Sequence, residues 1–175
     1  MYMNKSQIVF LKPTTTEDFE EYYQVRSDPT DIYWNGYTSK PERESFQLGF
    51  LKRTASARFE NPGDRRNYLI QTVEDNTTVG FLQLIMRENA VEIGYSVSQP
   101  YQRKGYASAA LNMGIELAKE FRFPIKVSIR DDNIASQKVA LRNGFLPTEN
   151  YEERKYPVVG RIKLRDYLLV DTYHG

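Results

Sequence analysis

Apolar residues in this chain keep two different periods. Between residues 107 and 121, Ala107, Ala110, Leu111, Gly114, Ala118 and Phe121 fall on one stripe at helical spacing. Most of that stripe is small side chains, which lets a helix lie close against a sheet. Phe19, Tyr22, Tyr23 and Arg26 show the same spacing nearer the start. Thr16 is the candidate cap of that helix, and Glu17 and Asp18 sit where a helix dipole favours acids. Phe46, Phe50 and Leu51 form a third stripe, with Pro41 in its predicted first turn. Strands are predicted at 8–11, 68–73, 78–86, 91–97, 125–129 and 161–170, with Gly80 as a candidate bulge.

Turn signals separate these elements. Ser27-Asp28-Pro29 stops the first helix, and residues 31–40 are predicted as a loop holding Tyr33, Trp34, Asn35, Gly36 and Tyr37. Asn61-Pro62-Gly63-Asp64, Glu74-Asp75-Asn76 and Arg87-Glu88-Asn89 set off three strands as an antiparallel meander. Asp131-Asp132-Asn133 offers cap side chains to a short helix through Ala135, Val139 and Ala140. Asn143-Gly144 stops that helix, with Phe145 as the apolar contact beyond. Tyr156-Pro157 and Gly160 punctuate a later loop. The predicted order is strand, two helices, three strands, helix, strand, helix, and one or two strands. That order specifies an α/β fold, one domain over residues 1–175, with a mixed, mostly antiparallel sheet flanked by helices.

Composition removes several kinds of chemistry. The chain has 175 residues, 40% of them hydrophobic and 27% charged, which suits an ordinary globular domain. A net charge of +1 gives no electrostatic footprint for nucleic acid. No apolar run approaches the roughly 20 residues of a membrane span, and the polar start, residues 1–7, lacks a signal-peptide core. There is no cysteine, and the one histidine is His174. No metal site, disulfide framework or Ser-His-Asp triad is therefore expected, and a cytoplasmic setting is.

The most informative stretch is Gln102-Arg103-Lys104-Gly105-Tyr106-Ala107, between a predicted strand and a predicted helix. A glycine loop opening a helix presents unpaired N–H groups and the positive end of the dipole, which suits a phosphate. Gly-x-Gly-x-x-Gly is absent, and no Gly-Lys-Ser/Thr follows, so neither a Rossmann nor a Walker loop is present. Gln-x-x-Gly-x-Ala after a strand resembles the pyrophosphate loop of the GNAT acetyltransferases, which use acetyl-CoA. Asn133-x-x-Ser136-x-x-Val139, running into Asn143-Gly144-Phe145, resembles the second cofactor-binding segment of the branch that includes ribosomal-protein N-terminal acetyltransferases. Asp28-Pro29 before the aromatic loop resembles that branch too.

The resemblance implies a set of roles. The pyrophosphate is expected on the amides from Arg103 to Ala107, with Gln102 opening the loop and Arg103 and Lys104 either adding charge or simply solvated. The pantetheine arm is expected along Tyr95-Ser96-Val97 as an added strand, which an unpaired sheet edge would favour. Val97 is equally readable as core, and Asn133 as a helix cap. Glu92 is the candidate base, against the plainer reading of a paired strand residue; alternation puts Glu92, Gly94 and Ser96 on one face. Ser136 is the candidate acid, because the tyrosine common in the family falls at Ala140. Tyr33, Trp34 and Tyr37 are candidate acceptor-pocket residues, or packing under a long loop. The expected reaction is transfer of acetyl from acetyl-CoA to a primary amine, a protein N-terminus or a small molecule. A non-catalytic acyl-CoA-binding or regulatory module is the rival class, and a homodimer is compatible with either.

Overall fold

The computed structural model describes residues 7–170, so His174 and the first six residues lie outside it. The chain opens with strand β1 (Val9–Pro13) and a 3-10 turn, Thr16–Asp18. Helix α1 (Phe19–Arg26) and the six-residue helix α2 (Pro29–Trp34) follow, then α3 (Arg43–Ser56). Strands β2 (Arg65–Thr72), β3 (Thr78–Met86) and β4 (Val91–Val97) make the predicted meander. Helix α4 (Tyr106–Lys119), β5 (Ile125–Arg130) and α5 (Ile134–Arg142) come next, and β6 (Phe145–Tyr156) and β7 (Gly160–Leu169) close the fold.

Several boundaries differ from the sequence reading, each for a local reason. Thr15, not Thr16, starts the first helical turn, because Asp18 accepts from both its amide and its hydroxyl. The predicted loop 31–40 begins as α2: Asp28 caps it by accepting from the Thr30 amide, and Pro29 occupies the first turn. Glu42 caps α3 through the amides of Glu44 and Ser45, which leaves Pro41 outside the helix. The bulge falls between Ile70 and Gln71, where Ile70 faces Gly80 and Gln71 faces Thr78, so Val79 is the extra residue. Strand β6 is the second closing strand that the predicted order leaves without bounds: nine of its twelve residues are exposed and most of them are polar, so no period of two marks it.

All seven strands join one sheet in the order β1-β2-β3-β4-β5-β7-β6. Every neighbouring pair is antiparallel except β4 and β5, which run parallel. That parallel pair is also the shortest: only Val91 with Ile125 and Glu92 with Lys126 are in register. Beyond Glu92 the two strands part, so the β5-facing edge of β4 from Ile93 to Val97 has no strand partner among the described residues.

Each face of the sheet holds its own core. Against α4 and α5 pack Leu82, Leu84, Ile93 and Val127, with Leu111, Ile115 and Ala140 from the helices. Under α1 and α3 lies a smaller, aromatic cluster of Phe19, Tyr22, Val25, Phe50, Leu69 and Phe81. At its rim Arg26 donates to Asp31 at 2.9 Å and to the Tyr22 hydroxyl at 3.2 Å, and stacks over Phe81 at 4.4 Å. Asp31 is 1% exposed and also accepts from Asn35. This ion pair ties α1 to α2. Removing one partner strands a buried charge, so Asp31→Ala should cost about 3–5 kcal/mol. Breaking the exposed Arg43–Glu20 pair should cost far less, since solvent screens both partners. Urea unfolding of the two variants checks the contrast.

Candidate active site

The parting of β4 from β5 opens the sheet from one face to the other. A cleft of about 1060 Å³ occupies that opening. Its back half lies between α4 and α5. Its front half lies over the α1–α3 face of the strands, covered by α2 and β6.

The back half is built from the loop before α4. Arg103 and Gly105 both adopt left-handed backbone, at φ 63° and 81°. None of the amides of residues 103–108 meets a protein acceptor among the described residues. The first paired amide is that of Ala109, on the Gly105 carbonyl at 3.1 Å. Six converging amides at a helix start make an anion cradle. A Cβ on Gly105 would meet only Ile8, at 3.8 Å, so the space above the loop is open. Arg103, Lys138 and Arg142 line this half of the cleft. Unpaired amides and nearby cations suit a diphosphate in charge.

Gln102 anchors the cradle instead of facing it. Its side-chain amide donates to the Val97 carbonyl at 3.0 Å and to the Thr30 hydroxyl at 3.1 Å. Asp28 accepts from the Gln99 amide at 3.2 Å, so the start of α2 is pinned to the same loop. Lys104 turns away over the Tyr101 ring, at 6.0 Å, and is not part of the cleft wall. Asn133 caps α5 by accepting from the Ser136 amide at 3.1 Å. Val97 is core, as its alternative reading had it, although its backbone borders the cleft.

Tyr95 reaches across the opening to α5. Its hydroxyl lies 3.0 Å from Ser136 Oγ. Burial pushes the Tyr95 phenol up to about 12, against the pull of that hydrogen bond. At neutral pH it is a hydroxyl, able to donate. Ala140, where the resemblance would put a tyrosine, is fully buried in the core.

The front half is a polar row on the sheet. Glu92 is held through Oε2 by Arg87 at 2.7 Å, with Lys126 at 3.8 Å. Lys126 also reaches Asp166 at 3.0 Å, and Ser128 donates to Asp166 at 2.6 Å. Glu92 Oε1 has no partner among the described residues. The paired-residue reading of Glu92 thus holds for one oxygen and leaves the other exposed to the cleft. Lys126, Ser128 and Asp166 were missed from sequence. Alternation could have put Lys126 and Ser128 on one face, but Asp166 joins them only through the long-range β5–β7 pairing.

Of the three aromatic candidates, Trp34 and Tyr37 line the cleft and Tyr33 does not. All of them belong to the α2 segment, which a buried cation holds in place. Arg130 is 3% exposed and makes a two-pronged ion pair with Asp132. Its guanidinium sits 5.1, 4.7 and 4.6 Å from the rings of Tyr33, Trp34 and Tyr156, and it donates to the Tyr33 carbonyl at 3.0 Å. Gly36, at φ 77°, lets the chain pass against Tyr156, where a Cβ would clash at 2.0 Å.

A family model described as an acetyltransferase (GNAT) domain matches residues 9–146. Solved structures share the fold along nearly the whole chain. An acetyltransferase of the GNAT family from Bacillus anthracis is 20% identical, with a TM-score of 0.74 over 95% of this chain and 96% of its own. A spermidine N-acetyltransferase from Vibrio cholerae, solved with CoA and spermine, is 14% identical, with a TM-score of 0.76 over 94% and 96%. A Vibrio cholerae protein provisionally described as a ribosomal-protein-serine acetyltransferase is 22% identical, with a TM-score of 0.67 over 93% of each chain.

Trp34 both lines the cleft and stacks on Arg130, so Trp34→Ala should lower stability by about 1–3 kcal/mol, less than for a fully buried tryptophan. Trp34→Phe should recover most of it. Thermal melts check this, and a variant as stable as the parent would show that the ring merely lies on the surface.

Proposed function

The chain belongs to the GNAT acetyltransferase family, and from that premise we propose that it transfers an acetyl group from acetyl-CoA to a primary amine by direct attack. The observation that carries this reading is the cradle of six unpaired amides beside the unpaired edge of β4. The cradle holds the pyrophosphate, and Lys138 and Arg142 add charge at its rim. The β4 edge from Ile93 to Val97 offers backbone groups to the amides of the pantetheine arm, as a sheet edge does to an added strand. Acetyl-CoA supplies the activated thioester, and the opening in the sheet brings it to the front face.

Tyr95 and Ser136 stand where a leaving thiolate needs a donor. A phenol at about 12 is a weaker acid than a thiol near 8.5, so full transfer of its proton is uphill by about 5 kcal/mol. Tyr95 therefore acts by donating a hydrogen bond, with Ser136 orienting it, and solvent supplies the final proton.

Glu92 Oε1 takes up the proton of the acceptor amine, directly or through water. The required work depends on the acceptor. A lysine-type amine costs about 4.6 kcal/mol to deprotonate at pH 7, an α-amine only about 1.1. An α-amine asks far less of Glu92 Oε1 than a lysine-type amine does. That favours a peptide N-terminus or another weakly basic amine over a polyamine. In the front half Arg26, Arg87 and Arg154 are paired with Asp31, Glu92 and Glu152, and Arg65, which has no ion pair among the described residues, is left to oppose a polycation. A cytoplasmic setting suits this use of acetyl-CoA.

Gly105→Glu sets a carboxylate where phosphate binds. It should weaken coenzyme A binding by at least tenfold while the domain stays folded, as calorimetry and circular dichroism will show. Unchanged affinity in a folded variant would refute the cradle. Glu92→Gln should lower kcat several-fold near pH 7 with an α-amine acceptor, and leave the KM for acetyl-CoA nearly unchanged. The deficit should shrink as pH rises past the amine pKa, since the neutral amine then forms unaided. A deficit independent of pH would assign Glu92 to positioning instead.

A further inference from the structure

Next to the front half of the cleft lies a second cavity of about 410 Å³. Arg26, Tyr37, Arg65 and Gln83 line both, so the two spaces meet at these side chains. The second cavity adds Arg53 and Asn67. Asn67 is 8% exposed, and its Oδ1 meets no donor among the described residues. A buried amide oxygen left bare is uncommon in a folded protein and calls for a partner.

The charges around it are unbalanced in one direction. Among the described residues neither Arg53 nor Arg65 forms an ion pair. The Arg65 guanidinium has only a 3.4 Å contact with Gln83. Arg65 and Arg53 both stand exposed at the mouth of this cavity, with Arg26 and Arg87 also near Arg65. Nearby carboxylates are engaged elsewhere: Asp31 by Arg26, Glu92 by Arg87, and Asp64 by the amides of Glu60 and Asn61. Two free guanidiniums and a bare amide oxygen together match a ligand that brings both an anion and an N–H.

We propose that this cavity receives a carboxylate of the acceptor, and that the acceptor is a peptide N-terminus with an acidic residue about three positions from the reacting amine. The spacing follows from the sheet. Arg65 pairs with Ile85, and Ile85 with Glu92, so Arg65 lies two strand spacings from Glu92, about 10 Å. In an extended chain two advances of about 3.3–3.6 Å, with the amine's own bond to its Cα, span roughly 8 Å, and the side chain of the third residue covers the remaining distance to Arg65. The N–H groups of that segment meet Asn67 Oδ1. With amine acetylation at Glu92 taken from the reading above, the second cavity sets which amines are chosen.

Three tetrapeptide amides test this: Ser-Ala-Glu-Ala, Ser-Ala-Gln-Ala and Ser-Ala-Lys-Ala, each assayed with acetyl-CoA. We expect kcat/KM to be about tenfold higher for the glutamate peptide than for the glutamine peptide, with the lysine peptide lowest. Arg65→Gln should bring the glutamate-to-glutamine ratio to about one, Arg65→Lys should restore part of it, and coenzyme A affinity should stay unchanged. High salt should narrow the ratio. Calorimetry of the same peptides on the coenzyme A-loaded protein reads the cavity even where no acetyl group moves, and should give the same order. Equal affinities, a preference for lysine, or a glutamate preference that survives Arg65→Gln overturns the carboxylate site. Ordered binding without turnover would instead count against acetyl transfer and leave the site standing.

Discussion

The two-residue contact between β4 and β5 is the constraint on which the rest of the molecule depends. A fully paired sheet would bury every ladder group and present two unconnected faces. Here the pairing stops at Glu92, and the sheet gains an internal edge. Such an edge normally invites an intruding strand. The split exposes it only within a cleft walled by α4, α5, α2 and β6, so access is limited to a ligand that can lie along it. The same opening connects the α4 loop with the polar row on the opposite face. Each half of the cleft then needs its own anchor. Gln102 ties the loop to the end of β4, and Arg130 holds α2 against β5 and β6.

That arrangement explains why polar side chains crowd one face of the central strands. Glu92, Lys126, Ser128 and Asp166 would be costly beneath a helix. In the cleft they keep solvent and satisfy one another. The opposite face of the same strands carries Val91, Ile93, Val127 and Ile129, buried under α4 and α5. Alternation along β4 and β5 therefore divides chemistry from core with a period of two residues, and a one-residue slip in register would exchange them.

The sequence made most elements legible where a local signal existed. The meander, the glycine loop, the small-residue helix and the Asn133-capped helix follow from spacing and caps, and the structure has them. Helix α2 was hidden because its start signal, Asp28-Pro29, also ends α1. Strand β6 was hidden because a polar, exposed run carries no period. In the site, the cradle was legible because it is contiguous. The Tyr95–Ser136 contact and the Asp166–Lys126 pair join residues about 40 positions apart, and only the sheet order brings them together. Tyr95 was legible as backbone edge but not as a hydroxyl donor, since its environment is set by α5.

Electrostatics separate the candidate acceptors further than the fold does. A fold shared at 14–22% identity with other proteins does not fix an acceptor. On the acceptor side, the carboxylates Asp31, Glu92 and Asp166 are each matched by a cation of the protein itself. A polyamine entering this cleft would have to displace those cations and meet Arg65 and Arg53 beyond them. An α-amine brings at most one charge and loses it for only about 1.1 kcal/mol at pH 7. The same cations that repel a polyamine attract an acidic chain trailing from that amine. The charge pattern of the front half therefore bears on the proposed acceptor independently of the loop before α4, which concerns the cofactor alone.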